Sequence, residues 1–316
     1  MKEYLKNKVD LHLHFDGSLP YSVIPKLAEM SGVELDESKM KEIFTVPENC
    51  ESLVDYLKCF DVPGQLLQTK ETLSLAMETL LKELYAQNVL TVEVRFAPQL
   101  HKRNGLTGEE IVESVLEGQE RALAQCEGMK AGTILCMMVN GETAENMETV
   151  ELAKKYLGKG VVCLDIAGPE GMIPMMGFKV FFDMAKKLDV PYIIHAGECG
   201  SAENVNIALD LGAKRIGHGI AAIKDEAVLK RLVDTQTPIE VCPVSNIDTK
   251  AFPEGEVHPA KKLLDAGVCV TINTDNMTVS GTTLDREYEV LMTQCGFTEE
   301  DILKVQENGR KASFLK

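Results

Sequence analysis

Apolar and polar residues alternate with a period of two through Val9-Asp10-Leu11-His12-Leu13-His14, the pattern of a β-strand whose successive side chains face opposite ways. Val9, Leu11 and Leu13 point toward a packing partner, and His12 and His14 share the other face. Gly17 follows and permits a sharp turn. Helical spacing then takes over between about 19 and 88. Helices are predicted over 22–30, 52–60 and 70–87, the last with Leu73, Met77, Leu80, Leu81 and Leu84 on one face. Strands are next predicted over 91–96, 132–139, 161–166, 191–195, 215–217, 238–242 and 268–273. Between them come helices over 107–126, 145–157, 177–188, 201–211, 225–233 and 259–266, and two more, 284–295 and 299–311, finish the chain. Thr107-Gly-Glu-Glu110 is a capping box, and Gly158, Gly212 and Gly267 stand where helices stop.

Eight strands alternating with helices give an α/β chain, a (β/α)8 TIM barrel. One domain over 1–316 is expected, with extra C-terminal helices. A βα unit needs one helix, so the surplus over 19–88 reads as a helical insertion after strand one, at the barrel end where it covers the active site. An open doubly wound sheet is the structural alternative, but the phosphate-binding turn GxGxxG is absent after the first strand.

The reactive side chains fall just past the C-terminal ends of the predicted strands. His14 and Asp16 follow strand one, Asp165 and Gly168 strand four, and His195-Ala-Gly-Glu198 strand five. Gly217-His218-Gly219 follows strand six, Ser245-Asn246 strand seven, and Asp275-Asn276 strand eight. In a barrel these ends meet at one mouth. His12, His14, His195 and Asp275 make a donor set of three imidazoles and one carboxylate that suits zinc, with iron or cobalt also able to fit. Strand four carries no lysine to bridge two ions, so one metal per chain is expected. Glu198 and His218 are not needed as ligands. A glutamate in a dry pocket stays protonated and can donate to a ring nitrogen, and a histidine can accept a proton from water or aim it. The plainer readings are a helix N-terminal charge for Glu198 and a solvated turn residue for His218. Their joint position at neighbouring strand ends favours the catalytic pair, equipment for hydrolytic removal of an amine from a purine-like ring.

Composition narrows the partners. A formal net charge of −16 argues against nucleic acid and anionic membranes. Nine cysteines without CxxC read as buried thiols of a reducing compartment, as at Cys136, Cys163 and Cys269. No apolar run suits a signal peptide or a membrane span, so a cytoplasmic protein is expected. His258 reads as structural, His101 as solvated, and the 172–176 methionine run as packing or loop.

In order, Lys8-Val-Asp-Leu-His-Leu-His-Phe-Asp-Gly17, Asp165-Ile-Ala-Gly168, His195-Ala-Gly-Glu198, Arg215-Ile-Gly-His-Gly219, Glu240-Val-Cys-Pro-Val-Ser-Asn246 and Asn273-Thr-Asp275 resemble the adenosine deaminase family of the metal-dependent amidohydrolase superfamily, across nearly the whole chain. The resemblance implies zinc on His12, His14, His195 and Asp275. It implies Glu198 as the acid that protonates purine N1 while water attacks C6, and His218 as the residue that orients or deprotonates that water, which Asp275 also hydrogen-bonds. It further places the Gly168 backbone at N3 and Asp16 on the ribose 5′-hydroxyl. His14 counts with the substrate-contacting residues as well as with the ligands. Many members carry a second aspartate where this chain has Asn276, whose amide can donate to N7. The carboxylate of Asp16 favours a hydroxyl over a phosphate, so adenosine and 2′-deoxyadenosine are the expected substrates. Two alternatives stay open: a deaminase of another aminopurine or modified adenine nucleoside, and a nucleoside-binding barrel without catalysis. Leu53, Leu57 and Phe60 in the insertion read either as an apolar wall over the purine or as plain helix packing.

Overall fold

The computed structural model describes residues 2–47, 50, 52–199 and 201–315. Strand β1 (Lys8–His14) is followed by helices α1 (Ile24–Ser31), α2 (Met40–Phe44), α3 (Leu53–Leu57), α4 (Asp61–Leu66) and α5 (Lys70–Ala86). Then come β2 (Val89–Phe96), α6 (Gly108–Leu123), β3 (Lys130–Met138), α7 (Thr143–Tyr156), β4 (Val161–Ala167), α8 (Lys179–Lys187), β5 (Ile193–Ala196) and α9 (Ala202–Leu211). The chain continues through β6 (Arg215–His218), α10 (Glu226–Thr235), β7 (Ile239–Val241), α11 (Pro243–Asp248), α12 (Ala260–Asp265), β8 (Val270–Ile272), α13 (Leu284–Gln294) and α14 (Glu299–Ala312).

All eight expected strands form, and all pair in parallel. β1-β2-β3-β4 make one sheet and β5-β6-β7-β8 another. Single parallel bridges join them at both seams, Leu164 with Tyr192 and Leu13 with Asp275, so the strands run in a ring with the helices outside. The outward side chains are apolar because helices cover them: Val9 of β1 lies against Gly309 of α14, and β3 is buried at every position between its end residues. The expected capping box at Thr107 and Glu110 opens α6.

Three helices escape the periodicity reading, α2, α4 and α11. Each is shorter than two turns, too little for a 3.6-residue repeat to show; for α11 the usable signal was Pro243, fit for a first helical turn. The expected 52–60 helix is α3 followed by a 3-10 turn (Lys58–Phe60), and α4 lies beyond its bounds. Gly17 lies in a 3-10 turn (Asp16–Ser18), yet its backbone is not left-handed. Glycine is needed there for room, since an added Cβ would stand 1.8 Å from the Asn276 Oδ1. His101 is fully buried rather than solvated; its Nδ1 meets the Leu67 carbonyl at 2.8 Å, and burial lowers its pKa to about 4. Cys136 and Cys163 are buried, Cys269 only half so, and all nine cysteines are unpaired. Met175 packs in the core while Met172 and Met176 stay exposed. No helix among the described residues is long and apolar enough to cross a membrane.

The barrel interior is polar below the mouth. Arg95 of β2 sends Nη1 to Asp165 at 2.6 Å and Nη2 to Glu240 at 2.7 Å and to the Leu11 carbonyl at 2.7 Å. Arg215 of β6 bridges Glu240 and Glu93, each at 2.5 Å. The Glu93 carboxylate accepts from Ser313 and the Phe314 amide beyond α14, which ties the end of the chain to the floor of the barrel. Removing one partner of a buried charge set strands the others. Arg215→Met is therefore expected to lower unfolding stability by about 3–5 kcal/mol, read by chemical denaturation at neutral pH; a loss no larger than that of an exposed arginine would contradict the structural role.

Candidate functional site

The β1 alternation puts His12 and His14 on the inner face with Asp10, as expected. His195, next to last in β5, lies beside them, and its ring centroid is 4.6 Å from that of His12. Gly217 of β6 leaves space for that ring, because a Cβ there would come within 3.0–3.1 Å of His195 atoms. Asp275 lies past β8 and is stitched to β1: its amide donates to the His12 carbonyl at 2.8 Å, and its carbonyl accepts from the His14 amide at 2.6 Å. Its backbone φ of 60° is a strained left-handed value for an aspartate, held by these two bonds.

The four candidate ligands converge. His14 Nε2 is 3.4 Å from Asp275 Oδ1 and 3.4 Å from His195 Nε2, and His12 Nε2 is 3.5 Å from Asp275 Oδ1. Donors ~2.0–2.2 Å from a tetrahedral ion stand ~3.3–3.6 Å from each other. His12 Nδ1 lies 2.8 Å from Glu240 and His195 Nδ1 3.0 Å from Asp165. With those carboxylates ionised, both rings donate from Nδ1, which aims the Nε2 lone pairs at the common centre. Burial alone would raise the Glu240 carboxyl, but Arg95, Arg215 and His12 beside it hold it well below the usual carboxylate range. His12 Nε2 is buried with no hydrogen-bond partner in the protein. Two guanidiniums face the three carboxylates Glu93, Asp165 and Glu240, and Asp275 adds a fourth, an excess of negative charge that a divalent cation balances. These residues fit a metal ion.

His218 ends β6 with φ 59°, and its ring also crowds the centre; ligand atoms of His12, His195 and His218 all lie within 4.8 Å of one another. His218 is buried, not a solvated turn residue. Its Nε2 is 3.7 Å from Glu198 Oε2. Glu198 lies before the cap of α9, Ser201, so it is not the charge of that helix's first turn; Glu203 is. Burial first, then Asp275 and Glu170, hold the Glu198 carboxyl well above the usual carboxylate range. That direction favours the proton-carrying form of the carboxyl.

A cavity of about 310 Å³ opens over this centre, lined by His14, Asp16, Gly168, Glu198, His218 and Asn276 among others. Burial pushes Asp16 up to about 6. Asn276 Oδ1 is buried without a partner. Leu53, Leu57 and Phe60 all line the cavity, while Leu53 and Phe60 also pack on the small cluster of Cys50, Tyr56 and Val279, so wall and packing are one role. His101 lines the cavity too.

Sequence reasoning missed the residues that hold this set in place. Glu170 is the clearest: its carboxylate accepts from the amides of Gly197, Glu198 and Cys199 at 2.7–2.8 Å and from Asn204 Nδ2 at 2.8 Å. No spacing rule links a loop glutamate to a segment 27 residues on. Arg95 and Glu240 read as strand residues, and Ser245, whose Oγ donates to Asp275 Oδ2 at 2.6 Å, as part of a motif without a stated role.

A sequence model of the family described as adenosine deaminase matches residues 7–316. The chain belongs to the adenosine deaminase family. It is 42% identical over 314 residues to an adenosine deaminase of Haemophilus ducreyi, covering 97% of this chain and 91% of that one. It is 43% identical over 313 residues to one of Clostridium botulinum, covering 97% and 92%. Among solved structures, an adenine deaminase from Arthrobacter aurescens superposes with a TM-score of 0.87 at 27% identity, covering 98% of this chain and 94% of that one. Membership makes this a metal-dependent amidohydrolase fold with a hydrolytic deaminase site.

Each bond to the Glu170 carboxylate contributes about 1.5–3 kcal/mol. Glu170→Ala should therefore speed amide exchange at 197–199 by at least roughly tenfold, measured by hydrogen–deuterium exchange; unchanged protection there would show that something else holds the loop.

Proposed function

We propose that this chain is a zinc-dependent aminohydrolase that converts adenosine and 2′-deoxyadenosine to inosine and 2′-deoxyinosine, releasing ammonia, in purine salvage. The observation that carries the reading is the convergence of His12, His14, His195 and Asp275 at donor spacing beneath a cavity that also holds Glu198, a carboxyl that burial pushes well up. His12, His14, His195 and Asp275 would hold the single zinc ion. Zinc, when bound, supplies the Lewis acidity that makes water nucleophilic at neutral pH.

The rest belongs to the protein. Glu198 donates its proton to N1 of the purine, which makes C6 electrophilic as water adds there. His218, across from Glu198, orients the attacking water. Asp275 hydrogen-bonds the same water, and Ser245 keeps its carboxylate from rotating. The Gly168 backbone meets N3. Asn276, with Oδ1 turned over Gly17, presents its amide nitrogen to N7. Asp16 takes the ribose 5′-hydroxyl and, as a carboxylate, disfavours a phosphate in that place. The helices of 19–88 close the purine in with Leu53, Leu57 and Phe60, where exclusion of water strengthens every polar contact. Nine unpaired cysteines suit a cytoplasmic enzyme, and the acidic surface suits a small-molecule substrate without nucleic acid or membrane as partner.

Deamination of another aminopurine is the second reading, favoured by Asn276 and by the adenine deaminase among the structural neighbours. Ammonia release from adenosine, 2′-deoxyadenosine, adenine and AMP, with metal measured on the same sample, separates the two. Adenosine and its deoxy form should lead; preference for adenine or AMP would transfer the reading, and no release from any of them would leave a nucleoside-binding barrel without catalysis. Glu198→Gln should lower kcat on adenosine by about 10²–10⁴-fold with metal retained, and near-normal turnover would remove its role as the acid. His12→Ala should lose metal and activity together; full activity in a metal-free sample would refute the ligand assignment.

A further inference from the structure

What His218 can do is decided behind it. The Ala260 amide, which opens α12, donates to His258 Nδ1 at 3.1 Å. A backbone amide can only donate, so this nitrogen is unprotonated and the proton of the neutral ring is on Nε2. Burial keeps the ring neutral, lowering the His258 pKa to about 3. His258 Nε2 then meets Asn246 at 3.2 Å. The carboxamide must offer its oxygen there, because the opposite rotamer would set two donors against each other in a buried place. With Oδ1 committed, the Asn246 amide nitrogen is turned to His218 and donates to Nδ1 at 3.1 Å. His218, Asn246 and His258 are all buried, so each bond fixes the next.

We propose that His258, acting through Asn246, is a positioning residue that fixes the tautomer of His218, with the ring proton on Nε2 facing the reacting centre. The proposal rests on the deaminase reading above and makes its role for His218 specific. A neutral His218 gives a hydrogen bond to the attacking water's oxygen and so aims it; with no lone pair on Nε2 it does not take the water's proton, which passes instead to the Asp275 carboxylate bonded to the same water and from there to the departing amine. The same proton keeps His218 out of the ligand set, although a ring nitrogen of His218 lies within 4.8 Å of ring nitrogens of His12 and His195. The tautomer therefore sorts the crowded imidazoles. His12 and His195 face carboxylate acceptors at Nδ1 and leave Nε2 free to coordinate, while His218 faces a donor at Nδ1 and is left with an N–H.

The test is ring-nitrogen NMR on zinc-loaded protein labelled with ¹⁵N-histidine, with His218 assigned by its loss in His218→Gln. Wild type should show His218 and His258 both protonated at Nε2 and bare at Nδ1. Asn246→Asp sets an acceptor against Nδ1 and should move the His218 proton there. His258→Phe frees the Asn246 carboxamide to rotate, so the His218 signal should shift or split, and kcat on adenosine should fall about 10–100-fold with KM and zinc content unchanged. A wild-type His218 protonated at Nδ1 would overturn the proposal. So would a His258→Phe protein that keeps both the wild-type spectrum and the wild-type kcat; if that variant does not fold, the wild-type and Asn246→Asp spectra decide alone. The spectra report the tautomer whether or not adenosine is turned over, so failure of the deaminase reading would be seen separately, as absence of ammonia from wild type.

Discussion

Arg95 is fully buried in the barrel with one guanidinium nitrogen on Asp165 and another on Glu240. Those two carboxylates are the ones that meet Nδ1 of His195 and His12. Arg95 thus spans both acids, and with His195 beside Asp165 and Arg215 on Glu240 it offsets the burial that would otherwise neutralise them. The acids in turn fix which face of each imidazole looks up into the mouth. Taking such charges out of water costs several kcal/mol per ion, so the arrangement is poor as a source of stability. Its return is orientation: a metal site tolerates little error in where its lone pairs point.

Above this floor the same logic repeats with weaker groups. Ser245 holds Asp275, Asn246 backs His218, and Glu170 gathers three successive amides so that Glu198 stands over the centre. The electrostatics divide by height. Low in the barrel, opposed charges keep Glu240 ionised. At the mouth, burial first, then Asp275 and Glu170, push the Glu198 carboxyl upward. Two carboxyl groups of nearly the same intrinsic acidity are thus pushed in opposite directions by their surroundings, which suits one to orient a ligand and the other to give a proton.

Much of this was legible in the chain. The alternation at 9–14 placed His12 and His14 on one face, and the order of strands and helices carried His195, His218 and Asp275 to one rim. Residues that act from strand ends can be read this way because barrel topology sends every such end to the same place. His101 could not, since the polar sequence around it hides a ring buried against the Leu67 carbonyl. Nor could Gly17, whose bare Cα answers to a side chain 259 residues away at Asn276. The supporting groups Glu170, Arg95 and Asn246 were hidden for a related reason: their partners are distant in sequence, and no local pattern marks a hydrogen bond between loops.

The sequence by itself determined the eight strands, the longer helices between them and which side chains stand at the strand ends, because strand period, helix caps and strand-end position are local properties. Tertiary structure alone decided which ring nitrogens carry protons, which carboxyls are charged, and how the helices of 19–88 close over the cavity. Protonation depends on dielectric and on neighbours within a few ångströms, and those neighbours are assembled only when the barrel closes.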